Sequence, residues 1–186
     1  MFPLLLLMMM TVVSCHHDSR LPKLFPVPDV TLTRSDGKPL KLADNRGYVT
    51  VYDFIFTRCS GTCPLMAGTM RQLTKKVNRS QPVRFVSVSV DPTYDTPAVL
   101  RNYARQMSND DRWIFATGDR STIVKLSVDG FKLAAGGGQP GEEALLHSSR
   151  LVVADKEGMI REYYGATSPE AADHLADAVA DLSRED

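Results

Sequence analysis

The chain has 186 residues, a formal net charge of zero at pH 7 and 43% hydrophobic residues. This length predicts a single domain with enough apolar residues to build a core. The sequence contains no block of Lys and Arg residues of the kind that follows nucleic-acid phosphates, so we expect no nucleic-acid partner.

An apolar segment covers residues 2–13, which is too short to span a membrane as a helix and is typical of a signal peptide. It leads into Val12-Val13-Ser14-Cys15, which resembles a bacterial lipobox, although no Lys or Arg precedes the apolar segment. The resemblance implies cleavage before Cys15 and lipid on its sulfur and new amino terminus. An uncleaved anchor and an ordinary cleaved signal are the alternatives. All three place the domain outside the cytoplasm, where disulfides persist.

The sequence therefore predicts three parts. Residues 1–14 are expected to be a lipoprotein signal peptide, residues 15–28 a flexible tether, and residues 29–186 the folded domain. The tether prediction rests on three prolines and the lack of any periodicity in residues 16–28. His16 and His17 lie in this segment. We favour a solvated linker there over a metal site formed by the two histidines.

The folded domain alternates predicted strands and helices. Extended pieces around a Ser-Asp-Gly-Lys turn predict a hairpin within residues 31–42. The further predicted strands cover residues 49–56, 83–90, 113–116, 150–154 and 159–164. The predicted helices cover residues 64–77, 96–107, 121–128 and 168–182, the last with Ser168 as N-cap and Pro169 in the first helical position. This order indicates an α/β fold with a mixed central sheet flanked by helices and an N-terminal hairpin, which matches a thioredoxin-like fold.

Two cysteines remain once Cys15 is assigned to processing. Cys59 and Cys63 follow a predicted buried strand and precede a helix, where helix N-terminal amides and the helix dipole favour a thiolate. The three residues between them include Gly61 and allow the sulfurs to share one metal or to close a disulfide. A static structural disulfide is the alternative, but so short a loop gains little chain entropy from being closed.

The sequence around these cysteines resembles the Sco/SenC family of copper proteins. The matching segments are residues 54–59, Cys63-Pro64, residues 88–92, residues 95–97, His147-Ser148-Ser149 and the turn at residues 155–158. They follow the family's order across residues 49–165. The resemblance implies a thioredoxin-like fold that binds one copper ion per chain through Cys59, Cys63 and His147. Two thiolates and one imidazole form a soft donor set that suits copper(I), whereas a structural zinc site would want four ligands.

The resemblance also implies a function, and the lipobox-like segment predicts a location. The favoured function is that of a copper metallochaperone that delivers copper to, or matures, the binuclear copper (CuA) centre of cytochrome c oxidase. A thiol–disulfide oxidoreductase that reduces the cysteines of that centre, or of other extracytoplasmic proteins, is the alternative, so whether the chain is an enzyme stays open. The expected partners are the copper-bearing subunit of the oxidase or an upstream copper donor. The expected location is the bacterial cell envelope, where a lipid anchor holds the protein at the membrane, facing the periplasm or the cell exterior.

Other candidate residues carry weaker signals. His147 follows a glycine-rich loop, and its role as a ligand rests mainly on the resemblance. Asp91, after one strand, and Asp53, inside another, are candidates for groups near the site, with purely structural roles as the alternative. His174 is expected on the surface of the last helix. None of the methionines is assigned to metal, because Met66 and Met70 have the spacing of core residues.

Overall fold

The computed structural model describes residues 19–133 and 148–185. The strands are β1 (Phe25–Pro26), β2 (Thr31–Arg34), β3 (Pro39–Lys41), β4 (Val49–Ile55), β5 (Val83–Ser89), β6 (Trp113–Thr117), β7 (Arg150–Ala154) and β8 (Met159–Gly165). The α-helices are α1 (Cys63–Lys76), α2 (Pro97–Met107), α3 (Arg120–Lys125) and α4 (Ala171–Arg184). None of the helices within these ranges is long and apolar enough to cross a membrane.

All the strands belong to one mixed sheet, with the order β1-β8-β7-β4-β5-β6-β2-β3. Strand β4 is parallel to β5, and β5 is parallel to β6. The other pairings are antiparallel. The predicted α/β architecture with a mixed central sheet is therefore confirmed, and so is the N-terminal hairpin, which β2 and β3 form.

Strand β4 is the centre of the core because all of its residues are buried. Alternate side chains of a strand point to opposite faces of the sheet. Val51 lies on one face, in a hydrophobic cluster that includes residues of α1 and α4. Tyr52 and Phe54 lie on the other face, where their ring centroids are 4.9 and 5.2 Å from that of Phe131. The continuous apolar run in the sequence reflects this burial on both faces.

The last helix begins later than predicted. Helix α4 starts at Ala171, with Glu170 in the N-cap position and no side-chain cap. Strand β8 continues to Gly165 and is followed by turns, so Ser168 lies in a turn before the helix. Its hydroxyl donates a hydrogen bond to Glu170 Oε2 at 2.6 Å instead of capping helix amides. The prediction of Ser168 as the N-cap was therefore wrong.

The folded part also begins before residue 29, within the segment predicted as a tether. The amide of Leu24 donates to the carbonyl of Ile160, and the amide of Val27 donates to that of Gly158, both at 2.8 Å. Strand β1 thus forms one edge of the sheet beside β8. A two-residue strand has no periodicity to detect in the sequence, which is why the predicted boundary lies too late. Cys15 and His147 lie outside the described residues.

Candidate metal centre

The loop between β4 and α1 carries both cysteines of the predicted site. Cys59 is half-buried in this loop, and Cys63 is the first residue of α1 and only 1% exposed. Both are free thiols. The amide of Cys59 donates to the carbonyl of Phe56, at 3.2 Å, which folds the loop back toward the end of β4. The two cysteines therefore lie at a strand-to-helix junction.

The two thiols differ in acidity. Burial alone would raise the pKa of Cys59, but hydrogen bonds from the Cys63 thiol and from the amides of Gly61, Thr62 and Cys63 outweigh it and lower the pKa below its ordinary value. Burial, the hydrogen bond to Cys59 and the nearby charges of Cys59 and Asp53 raise the pKa of Cys63 to about 12. Cys59 is thus the more acidic thiol, and the amides at the start of α1 stabilise its thiolate.

A buried carboxylate holds the segment just before Cys59. Asp95 has no exposed surface, and it accepts hydrogen bonds from the amide of Thr57 at 3.0 Å and from its hydroxyl at 2.5 Å. The hydroxyl of Ser89, at the end of β5, donates to the same carboxylate at 2.5 Å. Asp95 therefore ties the cysteine loop to the loop between β5 and α2. The sequence predicted no role for Asp95, and the Asp-Thr-Pro motif that contains it was the only available signal.

Asp91 makes a second connection between the same two loops. Its carboxylate, which is almost fully buried, binds the guanidinium of Arg58 at 2.6 Å. The Arg58 guanidinium also lies over the ring of Tyr94, 4.1 Å from the ring centroid. Asp91 was one of the two candidates for a group near the site, and its contact places it beside the cysteine loop through Arg58.

The other candidate, Asp53, lies inside β4 beneath the site. It is fully buried, and burial raises its pKa to about 7, with the hydroxyl of Ser87 opposing the shift. Its charge also contributes to the raised pKa of Cys63. Asp53 is therefore an electrostatic neighbour of the buried thiol.

The start of β7 approaches the same end of the sheet. Strand β7 is antiparallel to β4, with Tyr52 opposite Val152 and Thr50 opposite Ala154. The first residue of β7, Arg150, therefore lies level with the end of β4, where the cysteine loop begins. Ser148 and Ser149 precede it in the chain, and His147 precedes them outside the described residues. Within residues 19–133 and 148–185, no three His, Cys, Asp or Glu side chains are grouped to hold a metal ion.

The one histidine within residues 19–133 and 148–185 has a structural role. His174, in the first turn of α4, accepts or donates a hydrogen bond with Glu162 Oε1 at 2.6 Å and stacks on Tyr164, with ring centroids 4.1 Å apart. Its side chain is 42% exposed, which agrees with the prediction of a surface position. Met66 and Met70 are fully buried, as their spacing predicted.

Comparisons with known proteins agree with this architecture. The model of the SCO1/SenC family matches residues 25–183. A SCO1/SenC family lipoprotein from Bacillus anthracis str. Ames is 29% identical with a TM-score of 0.77, and the match covers 86% of this chain and 95% of that one. BsSco, a member of the Sco family of cytochrome c oxidase assembly proteins in which a disulfide switch has been identified, is 31% identical with a TM-score of 0.73, covering 86% and 94%. Bradyrhizobium japonicum ScoI, solved with copper bound, is 21% identical with a TM-score of 0.70, covering 86% and 99%, and shares the fold. The predicted thioredoxin-like fold is confirmed.

Proposed function

The chain belongs to the SCO1/SenC family, and from this premise we propose that it is a copper metallochaperone that delivers copper to, or matures, the CuA centre of cytochrome c oxidase. Copper is the cargo in this proposal, one ion per chain, held by Cys59, Cys63 and His147. The partner is the copper-bearing subunit of the oxidase or an upstream copper donor.

The observation that carries the proposal is the thiol pair at the strand-to-helix junction. Cys59 and Cys63 are free, and the hydrogen bond between their thiols supports a site in which both sulfurs bind one ion. Two thiolates and an imidazole suit copper(I), and such a small ligand set leaves the ion open to transfer. His147 supplies the imidazole in this proposal, since it precedes a strand that starts level with the cysteine loop.

The unequal acidity of the two thiols supports a second function. A half-exposed thiol with a lowered pKa beside a buried thiol with a raised pKa is the arrangement of an attacking and a resolving cysteine. In such a reaction the Cys59 thiolate attacks a substrate disulfide and forms a mixed disulfide. Cys63 then displaces the reduced substrate, and a Cys59–Cys63 disulfide remains. Thiol–disulfide exchange toward the cysteines of the CuA centre is therefore the alternative.

Matched histidine variants distinguish the two functions. We expect the reduced protein to bind about one copper ion per chain, and His147→Ala to weaken this binding by at least about tenfold because one of the three ligands is lost. His174→Ala is the control, since that ring is already bound to Glu162 and Tyr164. The measurements are metal analysis and competition with a copper(I) chelator of known affinity.

Cysteine variants and disulfide turnover complete this test. Cys59→Ser and Cys63→Ser should each abolish tight binding, because a neutral hydroxyl replaces a thiolate. Reduction of a disulfide substrate should survive His147→Ala, which leaves both thiols in place. If His147→Ala binds copper as tightly as the wild type and the dithiol turns over disulfides at an enzyme-like rate, the oxidoreductase function is preferred. Copper loading that persists in the oxidised protein would exclude these cysteines as ligands.

We also propose that the chain reaches its place of action as a lipoprotein. In this proposal residues 1–14 are a signal peptide, Cys15 carries the lipid, and the domain stands in the bacterial cell envelope, facing the periplasm or the cell exterior. The lipobox-like sequence before Cys15 supports it, and so does the similarity to a family member that is itself a lipoprotein. Mass spectrometry of the native protein tests the proposal, which fails if residues before Cys15 are retained.

A further inference from the structure

A buried arginine fixes the first described residues of the chain. The side chain of Arg161 is 3% exposed and binds the carboxylates of Asp155 and Glu185 at 2.8 and 2.7 Å. Its Nε also donates to the carbonyls of Leu21 and Pro22, at 3.1 and 3.3 Å. These contacts hold residues 21–22 firmly against the domain, so the point where the chain enters the fold has a defined position.

The next residues along this segment expose apolar side chains. Leu24 is 38% exposed and Phe25 is 43% exposed, although both belong to, or adjoin, an edge strand of the sheet. Basic side chains stand beside them. Lys132 Nζ lies 5.7 Å from the ring centroid of Phe25, and Lys23 is exposed and bound to Glu157. We call Lys23, Leu24, Phe25 and Lys132 the β1 patch.

The length of chain before the described residues limits where the β1 patch can lie. Cys15 precedes Ser19 by four residues, which span at most about 14 Å when fully extended. The amide of Ser19 is itself fixed to the domain, since it donates to Glu185 Oε1 at 2.8 Å. A lipid on Cys15 would therefore hold this region of the domain close to the bilayer surface.

We propose that the β1 patch rests in the interface of an anionic lipid bilayer. This inference depends on the proposed lipid anchor. An exposed leucine and phenylalanine flanked by lysines are the side chains that an interfacial surface uses, since the rings and aliphatic groups enter the acyl boundary and the ammonium groups face the lipid phosphates. Lys132 supplies the charge, because the charge of Lys23 is already balanced by Glu157.

A β1 patch on the bilayer would also set the orientation of the cysteine loop relative to the membrane. The turn between β7 and β8 lies beside the start of β4, since Ala154 pairs with Thr50, and the β1 patch lies next to this turn, since Val27 binds Gly158. The cysteine loop lies at the other end of β4, a strand of seven residues and so about 23 Å away. With the β1 patch on the bilayer, Cys59 and Cys63 face away from the membrane.

Quenching of a tryptophan at Phe25 by brominated lipids tests the position of the patch. The full-length lipidated protein is reconstituted in vesicles of phosphatidylcholine and phosphatidylglycerol with brominated acyl chains. The tryptophan of F25W should lose roughly half of its emission, because interfacial burial of about 5–10 Å brings the ring near the bromines. L65W is the matched control. Leu65 is 60% exposed at the start of α1, beside the cysteine loop, so its replacement should show little quenching.

A charge reversal distinguishes binding through the β1 patch from a general electrostatic attraction of the protein to the membrane. Lys132→Glu, combined with F25W, should reduce the quenching about twofold in anionic vesicles, because like charge now opposes the lipid phosphates. Lys41→Glu is the control. Lys41 is exposed on β3, at the opposite edge of the sheet, and its reversal should leave the quenching unchanged.

The outcomes distinguish this inference from the proposals on which it depends. If the lipidated protein sediments with the vesicles but F25W is unquenched, the β1 patch does not rest on the bilayer while the anchor stands. If mass spectrometry finds no lipid on the full-length protein and the protein does not sediment, the anchor itself is refuted, and the patch inference falls with it. Cross-linked dimers joined through β1 would show that a second copy covers the edge instead, which also overturns the inference. Copper binding by Cys59 and Cys63 is measured separately and is independent of all three results.

Discussion

Asp53 is a carboxylic acid inside a strand whose residues are all buried. A buried carboxylate usually has a cation or several amides as partners, but here only the hydroxyl of Ser87 and the backbone amide of Asp53 itself oppose the effect of burial on its pKa. The folded protein therefore holds Asp53 in its neutral form up to about pH 7. A protonated acid beneath Cys63 adds no negative charge to the site, whereas its ionised form disfavours a second thiolate there.

This burial predicts how the stability of the reduced, copper-free protein varies with pH. The folded state keeps the Asp53 proton up to about pH 7, whereas the unfolded chain releases it near the ordinary aspartate pKa of 3.8. Between these values the folded state binds more protons, so the contribution of Asp53 to the free energy of unfolding falls as the pH rises. The loss should be no larger than about 4 kcal/mol. Urea unfolding at pH 5 and pH 8 measures the part of this loss that occurs above pH 5.

The control for this prediction is Asp53→Asn, which cannot ionise. Its free energy of unfolding should change less between pH 5 and pH 8 than that of the wild type, because the Asp53 contribution is absent. Asp29→Asn, at an exposed position, should keep the pH dependence of the wild type. Identical pH dependence in the wild type and Asp53→Asn would mean that Asp53 is ionised throughout.

At the scale of elements, the cysteine loop owes its position to the loop between β5 and α2. Two carboxylates of that second loop reach the residues that directly precede Cys59. Asp95 binds Thr57, and Asp91 binds Arg58. Because Asp95 is buried while accepting three hydrogen bonds, its contacts resist competition from water.

Removing the Asp95 carboxylate should loosen this connection. We expect Asp95→Ala to lower the free energy of unfolding by about 1–3 kcal/mol, because donors of the half-buried Thr57 and the buried Ser89 lose their acceptor. Amide hydrogen exchange at residues 57–59 should become faster. Asp36→Ala is the control, since Asp36 lies in an exposed turn of the β2–β3 hairpin. If the two variants exchange and unfold alike, Asp95 does not position the cysteine loop.

The sequence predicted the strands and helices whose apolar residues are either periodic or continuous. The apolar run of β4 and the helical spacing of Met66 and Met70 both led to the elements that the structure contains, and the junction between them located Cys59 and Cys63. The role of Asp95 could not be predicted in this way, because its partner Thr57 is 38 positions away and no local pattern links the two. Strand β1 was missed for the same reason, since its pairing with β8 depends on residues far apart in the chain.

At the scale of the whole molecule, Arg161 connects the first and last described segments. It binds the carbonyl of Leu21 near one end and the carboxylate of Glu185 near the other, and Asp155 completes the set. The hydrogen bond from Arg161 lowers the pKa of Glu185, so this contact stabilises the fold above the ordinary pKa of a glutamate and is lost as the pH falls through the lowered value.

Replacing Arg161 should destabilise the protein strongly. We expect Arg161→Met to lower the free energy of unfolding by about 3–5 kcal/mol, since it leaves the carboxylate of Asp155 buried without its cation. Residues 19–24 should also become accessible to protease, because the carbonyls of Leu21 and Pro22 lose their donor. Arg79→Met, at a side chain that is 63% exposed, should change the stability by less than about 1 kcal/mol. Equal stability of the two variants in urea unfolding would show that Arg161 does not hold the two ends of the described chain together.

The pairing of β1 with β8 has a consequence for the order in which the chain can fold. The amide of Ser19 binds a side chain 166 positions further along, so the first described residues find their partners only when nearly the whole chain is present. Contacts this distant form late, because the entropy of closing the intervening chain must be overcome first. If the chain is exported from its amino terminus, residues 24–27 would lack partners on the far side of the membrane until β8 has crossed, and Ser19 would lack its partner until Glu185 has crossed. The central β4–β5–β6 sheet would therefore form before its edge is completed.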